Sequence, residues 1–266
     1  ADVNQDGRVD VLAGELWYEA PTGGTSGLLN REWSRHEVRQ VGEFNPSGGY
    51  SECFSNFTFD VNSDGWPDLV RVGFPGKECY WYENPENEPG HWKEHLIWHS
   101  GCNESPLFAD VTGNGEPELI VGSQPESKLG YLPIPSSEDA VPKWDFRAVS
   151  RSGDPGKNGS HRFYHGLGTA DLNNDGRTDV LIPHGWWEGP QELDVGSWTF
   201  HPYALAKDGQ QTPLRTAHLH VEDLDLDGDN DIIGSSAHTY GIWWFENVAG
   251  NEADRFRYHL VDDSFS

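Results

Sequence analysis

A nine-residue acidic pattern, D-x-N-x-D-G-x-x-D in three copies and in varied form in two more, sets the organisation of this chain. The copies open at Asp2, Asp60, Asp110, Asp171 and Asp223. Their spacing of roughly 50–60 residues is the period of a repeat architecture. Each copy runs on into an apolar segment and a turn. In four copies two aromatics and a Glu follow: Trp17-Tyr18-Glu19, Trp81-Tyr82-Glu83, Trp186-Trp187-Glu188 and Trp244-Phe245-Glu246. A further segment, such as "WSRHEV" from Trp33 or "WTFHPY" from Trp198, alternates side chains in and out, the period of a strand. "SNFTFD" and "HGLGTAD" supply one more short strand ahead of the acidic loop. No segment carries a helical period. Four short strands per repeat predict an all-β fold, a β-propeller of four-stranded blades.

The repeats fall at about 1–45, 46–100, 101–150, 151–206 and 207–266, in a single domain covering 1–266. Copy one has almost no first strand, and Ser264-Phe265-Ser266 stands where a sixth copy would begin. The expectation is therefore a piece of a longer chain belonging to a six- or seven-bladed ring, with a closed five-bladed ring as the second reading. Further blades or domains of the same parent chain are expected partners.

Hydrophobic residues make up only 35% of the chain, but aromatics reach 12%, with 12 tryptophans. Large flat side chains suit the space between twisted sheets. A net charge of −26 argues against nucleic acid and anionic membranes as partners. No stretch is apolar enough for membrane insertion. The acidity suits a secreted, periplasmic or cell-surface protein that holds cations. Cys53, Cys79 and Cys102 lack zinc-ribbon spacing. Cys53 and Cys102 precede equivalent inner strands, so a disulfide between them is one reading.

In the loops, alternate oxygen-bearing side chains around a tight turn match the needs of Ca²⁺, which takes six to eight hard oxygens at about 2.3–2.6 Å. The predicted ligands are Asp2, Asn4, Asp6 and Asp10; Asp60, Asn62, Asp64 and Asp68; Asp171, Asn173, Asp175 and Asp179; and Asp223, Asp225, Asp227 and Asp231. The third loop, with Asp110, Thr112, Asn114 and Glu118, is degraded and is expected to bind most weakly. The glycine at position six permits the sharp turn. An EF-hand is excluded, because it needs a Glu at position twelve and flanking helices. The alternative is that Asp and Asn merely form Asx-turns.

The D-x-[ND]-x-[ND]-G-x-x-[DE] string with its downstream W-[YWF]-E resembles the FG-GAP/VCBS repeat family. "HGLGTADLNNDG" and "NESPLFADVTGNG" look like the secreted bacterial type. The resemblance covers nearly the whole chain. It implies a calcium-binding β-propeller, and it leaves function open among adhesion modules, lectin-like domains and enzymes. A sugar-converting dehydratase with metal sites is a more distant relative in style, and only calcium ligands carry over.

His36, His95, His201 and His259 occupy one repeated position in the last strand, with Arg147 there in the remaining copy. Repetition by architecture marks them as structural. His165, His184, His218 and His238 are not repeated. They fall at the starts of inner strands or in the second turn, where Glu52 and Glu104 also sit and where Arg162 and Arg215 could join them. These six His and Glu residues are the predicted ligand-binding set, on the face opposite the acidic loops. The first functional reading is a calcium-stabilised binding or scaffold module for carbohydrate or protein. The second is a metal-assisted sugar lyase or dehydratase, with Zn²⁺ or another transition metal and His165, His238 and Glu104 as the catalytic candidates. The third is a structural component of an extracellular assembly. The paired aromatics read as core rather than as sugar platforms.

Overall fold

Short runs of branched and aromatic residues, each closed by a Gly, Pro or Asn turn, form strands too brief to pair with anything but their chain neighbours. The computed structural model describes residues 1–23, 32–43, 45, 47–135, 144–193, 196–248 and 255–264. Among them there are eighteen antiparallel strands and no helix. They group into two compact units, residues 1–101 with 134–145 and residues 102–133 with 146–266. The terminal Phe265 and Ser266 lie outside the described residues.

In the first unit, β1 (Val11–Ala13), β2 (Leu16–Glu19) and β3 (Ser34–Glu37) form one up-and-down meander. β4 (Cys53–Phe59), β5 (Asp68–Gly73), β6 (Lys77–Glu83) and the first part of β7 (Lys93–Ala109) form the next. In the second unit, the remainder of β7 pairs with β8 (Glu118–Ser123), followed by β9 (Lys128–Leu132) and β10 (Arg147–Ala148). Then come β11 (Gly168–Ala170), β12 (Asp179–Ile182), β13 (Gly185–Glu188) and β14 (Thr199–Pro202). The last meander is β15 (Thr216–Glu222), β16 (Asp231–Ser236), β17 (Ile242–Asn247) and β18 (Phe256–Asp262). Acidic loops join β4 to β5, β7 to β8, β11 to β12 and β15 to β16.

The aromatic pairs hold neighbouring meanders together. Adjacent residues of a strand point to opposite faces. Trp187 accordingly packs with Ile120, Leu129 and Val180, on the side of the preceding meander. Trp186 packs with Leu219, Ile232 and Phe245, on the side of the following one. In the first unit Trp17 meets Leu69 and Tyr82 of the next meander. One dipeptide therefore serves two cores.

The repeated histidine completes this arrangement. His36, His95, His201 and His259 lie directly across from Trp17, Trp81, Trp186 and Trp244 in the sheet. Each ring stacks on its tryptophan, at centroid separations of 4.1, 4.3, 4.2 and 4.5 Å. Each Nε2 meets the Glu two residues beyond that tryptophan, at 3.0, 2.8, 2.9 and 2.6 Å. The triad is a cross-strand device of packing plus a polar latch. Truncating Trp186 to Ala should destabilise the fold by about 3–5 kcal/mol. His201→Ala leaves the wedge in place and should cost well under half of that, both checked by denaturant unfolding.

Candidate functional site

The five acidic loops share one hydrogen-bond scheme. The first Asp accepts backbone N–H groups from positions five and six. Asp60 takes those of Asp64 (3.0 Å) and Gly65 (2.8 Å), and Asp171 takes those of Asp175 (3.0 Å) and Gly176 (2.7 Å). Asn62 accepts from Asp64 N–H at 3.2 Å, and Asp64 accepts from Trp66 N–H at 2.8 Å. Position four lies in the left-handed region at Gln5, Ser63, Asn174 and Leu226, with φ of 57°, 59°, 58° and 65°. The glycine at position six is left-handed as well, as at Gly65 (φ 90°). Asx-type turns therefore shape these loops.

Position nine lies apart from the rest. Asp10, Asp68, Glu118, Asp179 and Asp231 are buried, with at most 3% exposure. One oxygen of Asp68 accepts the N–H of Val61 (2.9 Å) at the start of the loop, and the other accepts that of Asn84 (2.8 Å) at the end of β6. Asp10, Asp179 and Asp231 repeat this pair of bonds. Burial pushes the pKa of Asp68 and of Asp179 up to about 7, against the pull of these N–H donors. Positions one, three and five surround the exposed mouth of the loop. In the fifth loop, carboxylate oxygens of Asp223, Asp225 and Asp227 lie within 4.8 Å of one another, a gap of cation size. In the first and fourth loops the Arg at position seven contacts the carboxylate at position five, pairing Arg8 with Asp6 and Arg177 with Asp175. In the third, Thr112 and Asn114 turn to Glu118.

At the opposite ends of the strands, the second unit gathers unrepeated polar groups. Asn103 adopts φ 78° inside β7, and the β7–β8 register breaks between Cys102 and Leu107. Such a bulge re-aims side chains. Here the displaced backbone is fastened to the neighbouring segment. Asn103 N–H donates to His161 O (3.2 Å), and Glu104 N–H donates to Tyr164 O (2.8 Å). The Glu104 carboxylate then meets His165 Nε2 at 3.1 Å. His165 Nε2 also lies 2.8 Å from His238 Nε2, in the β16–β17 turn. Gly166 follows, with φ 82°; a Cβ there would sit 2.3 Å from Thr216 Oγ1, so only glycine fits. Burial lowers the pKa of His165, and His238 and Arg215 add to that while Glu104 opposes it.

Of the other predicted residues, His184 accepts or donates through Nδ1 to Tyr164 OH at 2.5 Å. His218 sits in a second register break, between Thr216 and Leu219 of β15, with its ring 6.1 Å from His220. Arg162 lies over the Phe163 ring. Glu52 belongs to the first unit, where it lines a cleft of about 480 Å³ with Arg39, Tyr50, Arg71, Lys77 and Tyr80. Arg39 sits 3.7 Å from Glu52 and 3.6 Å from Glu15. Arg71 is 4% exposed, and its Nε and Nη1 have no hydrogen-bond partner. Its guanidinium lies 5.4 Å from the centroid of Tyr80 and 5.7 Å from that of Tyr82. Sequence reading does not single out Tyr164, Asn103, Arg71 or Tyr50, because nothing in their local pattern separates them from other strand and turn residues. Cys53 is a free thiol, so the disulfide reading does not hold for it.

Comparison with known proteins bears on the fold. Residues 60–121 match the FG-GAP-like repeat. The chain is 29% identical over 155 residues to human phosphatidylinositol-glycan-specific phospholipase D, covering 46% of this chain and 18% of that protein. A solved structure of an Agrocybe aegerita lectin, described as recognising non-reducing terminal N-acetylglucosamine, superposes with a TM-score of 0.52 at 18% identity. That match covers 99% of this chain and 65% of the lectin. The V. cholerae biofilm matrix protein Bap1 aligns with a TM-score of 0.38 at 14% identity, over 77% of this chain and 34% of its own. The chain thus spans less than two thirds of each of these proteins. With an acidic loop of the same design in every meander, it carries the FG-GAP-like repeat at residues 60–121 within an all-β, β-propeller-like fold.

Proposed function

We propose that this chain is a calcium-stabilised binding module that takes a carbohydrate at the strand ends opposite its acidic loops. The cleft beside β4 and β5 carries this reading. It combines the exposed ring of Tyr50 (76% exposed) with a buried Arg71 that has two unsatisfied nitrogens. A guanidinium fixed against aromatic rings and short of acceptors is suited to the hydroxyl or carboxylate oxygens of a ligand, and a free aromatic face is suited to the apolar side of a sugar ring. Leaving those nitrogens unpaired costs stability, which a bound ligand would recover. Glu52 and Glu94 at the rim add acceptors for sugar hydroxyls. The fold-level likeness to a lectin agrees with this reading and does not carry it, because fold alone does not assign function.

The acidic loops serve the module from the other end. Their oxygens at positions one, three and five have the chemistry for Ca²⁺, and the three converging carboxylates of the Asp223 loop are the best prepared set. Uncompensated, those charges repel one another across the loop; a divalent ion reverses that interaction. A secreted or cell-surface location, where calcium is plentiful, belongs to the same proposal.

Two measurements test this. Calcium added to the chelated protein should raise Tm, each occupied site adding about 2.7 kcal/mol to the unfolding free energy at a hundredfold excess over Kd. Asp223→Ala should abolish one site's share, whereas an unchanged Tm would leave the loops as plain turns. On a glycan array, Tyr50→Ala should weaken the bound sugars by a few-fold to about tenfold, the worth of one aromatic contact, with Tm unchanged. Equal binding by that variant would move the site elsewhere, and no glycan bound at all would end the carbohydrate reading.

A further inference from the structure

We propose that the cleft beside β4 and β5 selects acidic sugars, taking the carboxylate of a uronic acid residue against Arg71. This deepens the carbohydrate reading of that cleft and rests on it. The argument starts from one buried charge. Arg71 lines the cleft while only 4% exposed, and its Nε and Nη1 have no hydrogen-bond partner. It sits on β5 directly across from Tyr80 of β6, and its guanidinium packs against the rings of Tyr80 and Tyr82. The faces of those rings attract a cation, but they are not a counter-ion. A buried charge without a counter-ion costs far more than a buried neutral polar group.

The acids nearby are committed to another cation. Arg39 stands 3.6 Å from Glu15, 3.7 Å from Glu52 and 4.0 Å from Glu94. Glu94 also accepts the Tyr82 hydroxyl at 2.6 Å. Among the described residues neither Arg71 nor Lys77 takes part in an ion pair. The lining carries Arg39, Arg71 and Lys77 against Glu52, Glu78 and Glu94, so its charges cancel within a chain of net charge −26. The one buried charge among those six is the cation. An anion entering the cleft therefore escapes, at close range, the repulsion that the rest of the surface exerts. Beyond about 8–10 Å salt screens that repulsion.

Ring chemistry makes that anion a sugar. A carboxylate is planar, as a guanidinium is, and the guanidinium charge is spread over the whole group, so a carboxylate on its cleft side balances it. Tyr50, 76% exposed, leans on Phe74 with ring centroids 5.7 Å apart, and both line the same cleft. The pair offers an apolar face to a pyranose ring. A neutral sugar meets that face equally well and brings no charge, so the carboxylate sets the preference.

Calorimetry on the full chain tests this with tetramers of β-1,4-glucuronate and of α-1,4-galacturonate, each beside its carboxyl-reduced, neutral form. At least one acidic tetramer should bind about tenfold or more tightly than its reduced form, the gain of a charge-assisted over a neutral hydrogen bond. Arg71→Met keeps the bulk of the side chain and removes its charge. It should erase that difference while Tm stays equal or rises, because an unbalanced buried charge has been removed. A lowered Tm in Arg71→Met would make Arg71 a structural residue and overturn the assignment. Equal binding of acidic and reduced tetramers, or neutral glycans alone bound on the array, overturns the selectivity and leaves the carbohydrate reading standing. No glycan of either kind bound ends both. A glutamate hexapeptide bound as tightly as the acidic tetramers would make the cleft a general anion site, against the proposal.

Discussion

The buried carboxylate at position nine is the constraint on which the rest of the repeat depends. Asp68 joins the N–H of Val61 to the N–H of Asn84, so the start of the acidic loop and the end of β6 are tied through one side chain. Asn84 then carries the tie onward, donating to Val3 O and to Pro67 O at 3.0 Å each. Asp231 and Asn247 do the same in the last meander, with Asn247 reaching Leu172 O and Asn230 O. Buried backbone groups must be paired, and strand ends are where a short meander would otherwise leave them open. The buried acid at position nine closes those ends, and in the second and last meanders an Asn also links the meander to its predecessor. The aromatic wedge then fills the space between sheets held in register.

This division explains the polar composition of the chain. Acidic residues at one end of the strands fold the loops, and some of them stay at the mouth as oxygen donors. At the other end the inner strands break register, at Cys53, at Cys102–Leu107 and at Thr216–Leu219. A regular strand cannot present a side chain out of the sheet's end, and a bulge can. Glu52, Glu104 and His218 lie at or beside these breaks. Repetition supplies the scaffold, and departures from it carry the candidate sites.

Much of this was legible in the sequence. Period-two alternation around Trp186-Trp187 predicts two side chains on opposite faces, and the two cores match that. Four histidines at one repeat position predicted a structural use, and each stacks on its tryptophan. Position nine was less legible: an Asp that ligates and an Asp that caps backbone look identical in one dimension, and only burial separates Asp179 from Asp175. Glu52 and Glu104 hold equivalent positions in the repeat, but Glu104 owes its contact with His165 to the left-handed Asn103, a conformation that no spacing rule announces. Arg71 reads as an ordinary strand residue until its neighbours are known to be two tyrosine rings.

The central claim is that the position-nine strap holds the fold independently of any cation, whereas the mouths of the loops are where the proposed Ca²⁺ would act. Amide hydrogen exchange with and without chelator measures this directly. The amides of Val61, Asn84, Leu172 and Gly189, which the buried carboxylates accept, should stay protected after chelation, and those of Asp64, Gly65, Asp175 and Gly176 should exchange much faster. Equal acceleration of both groups would mean that strap and loop open as one cation-dependent unit, contradicting the account.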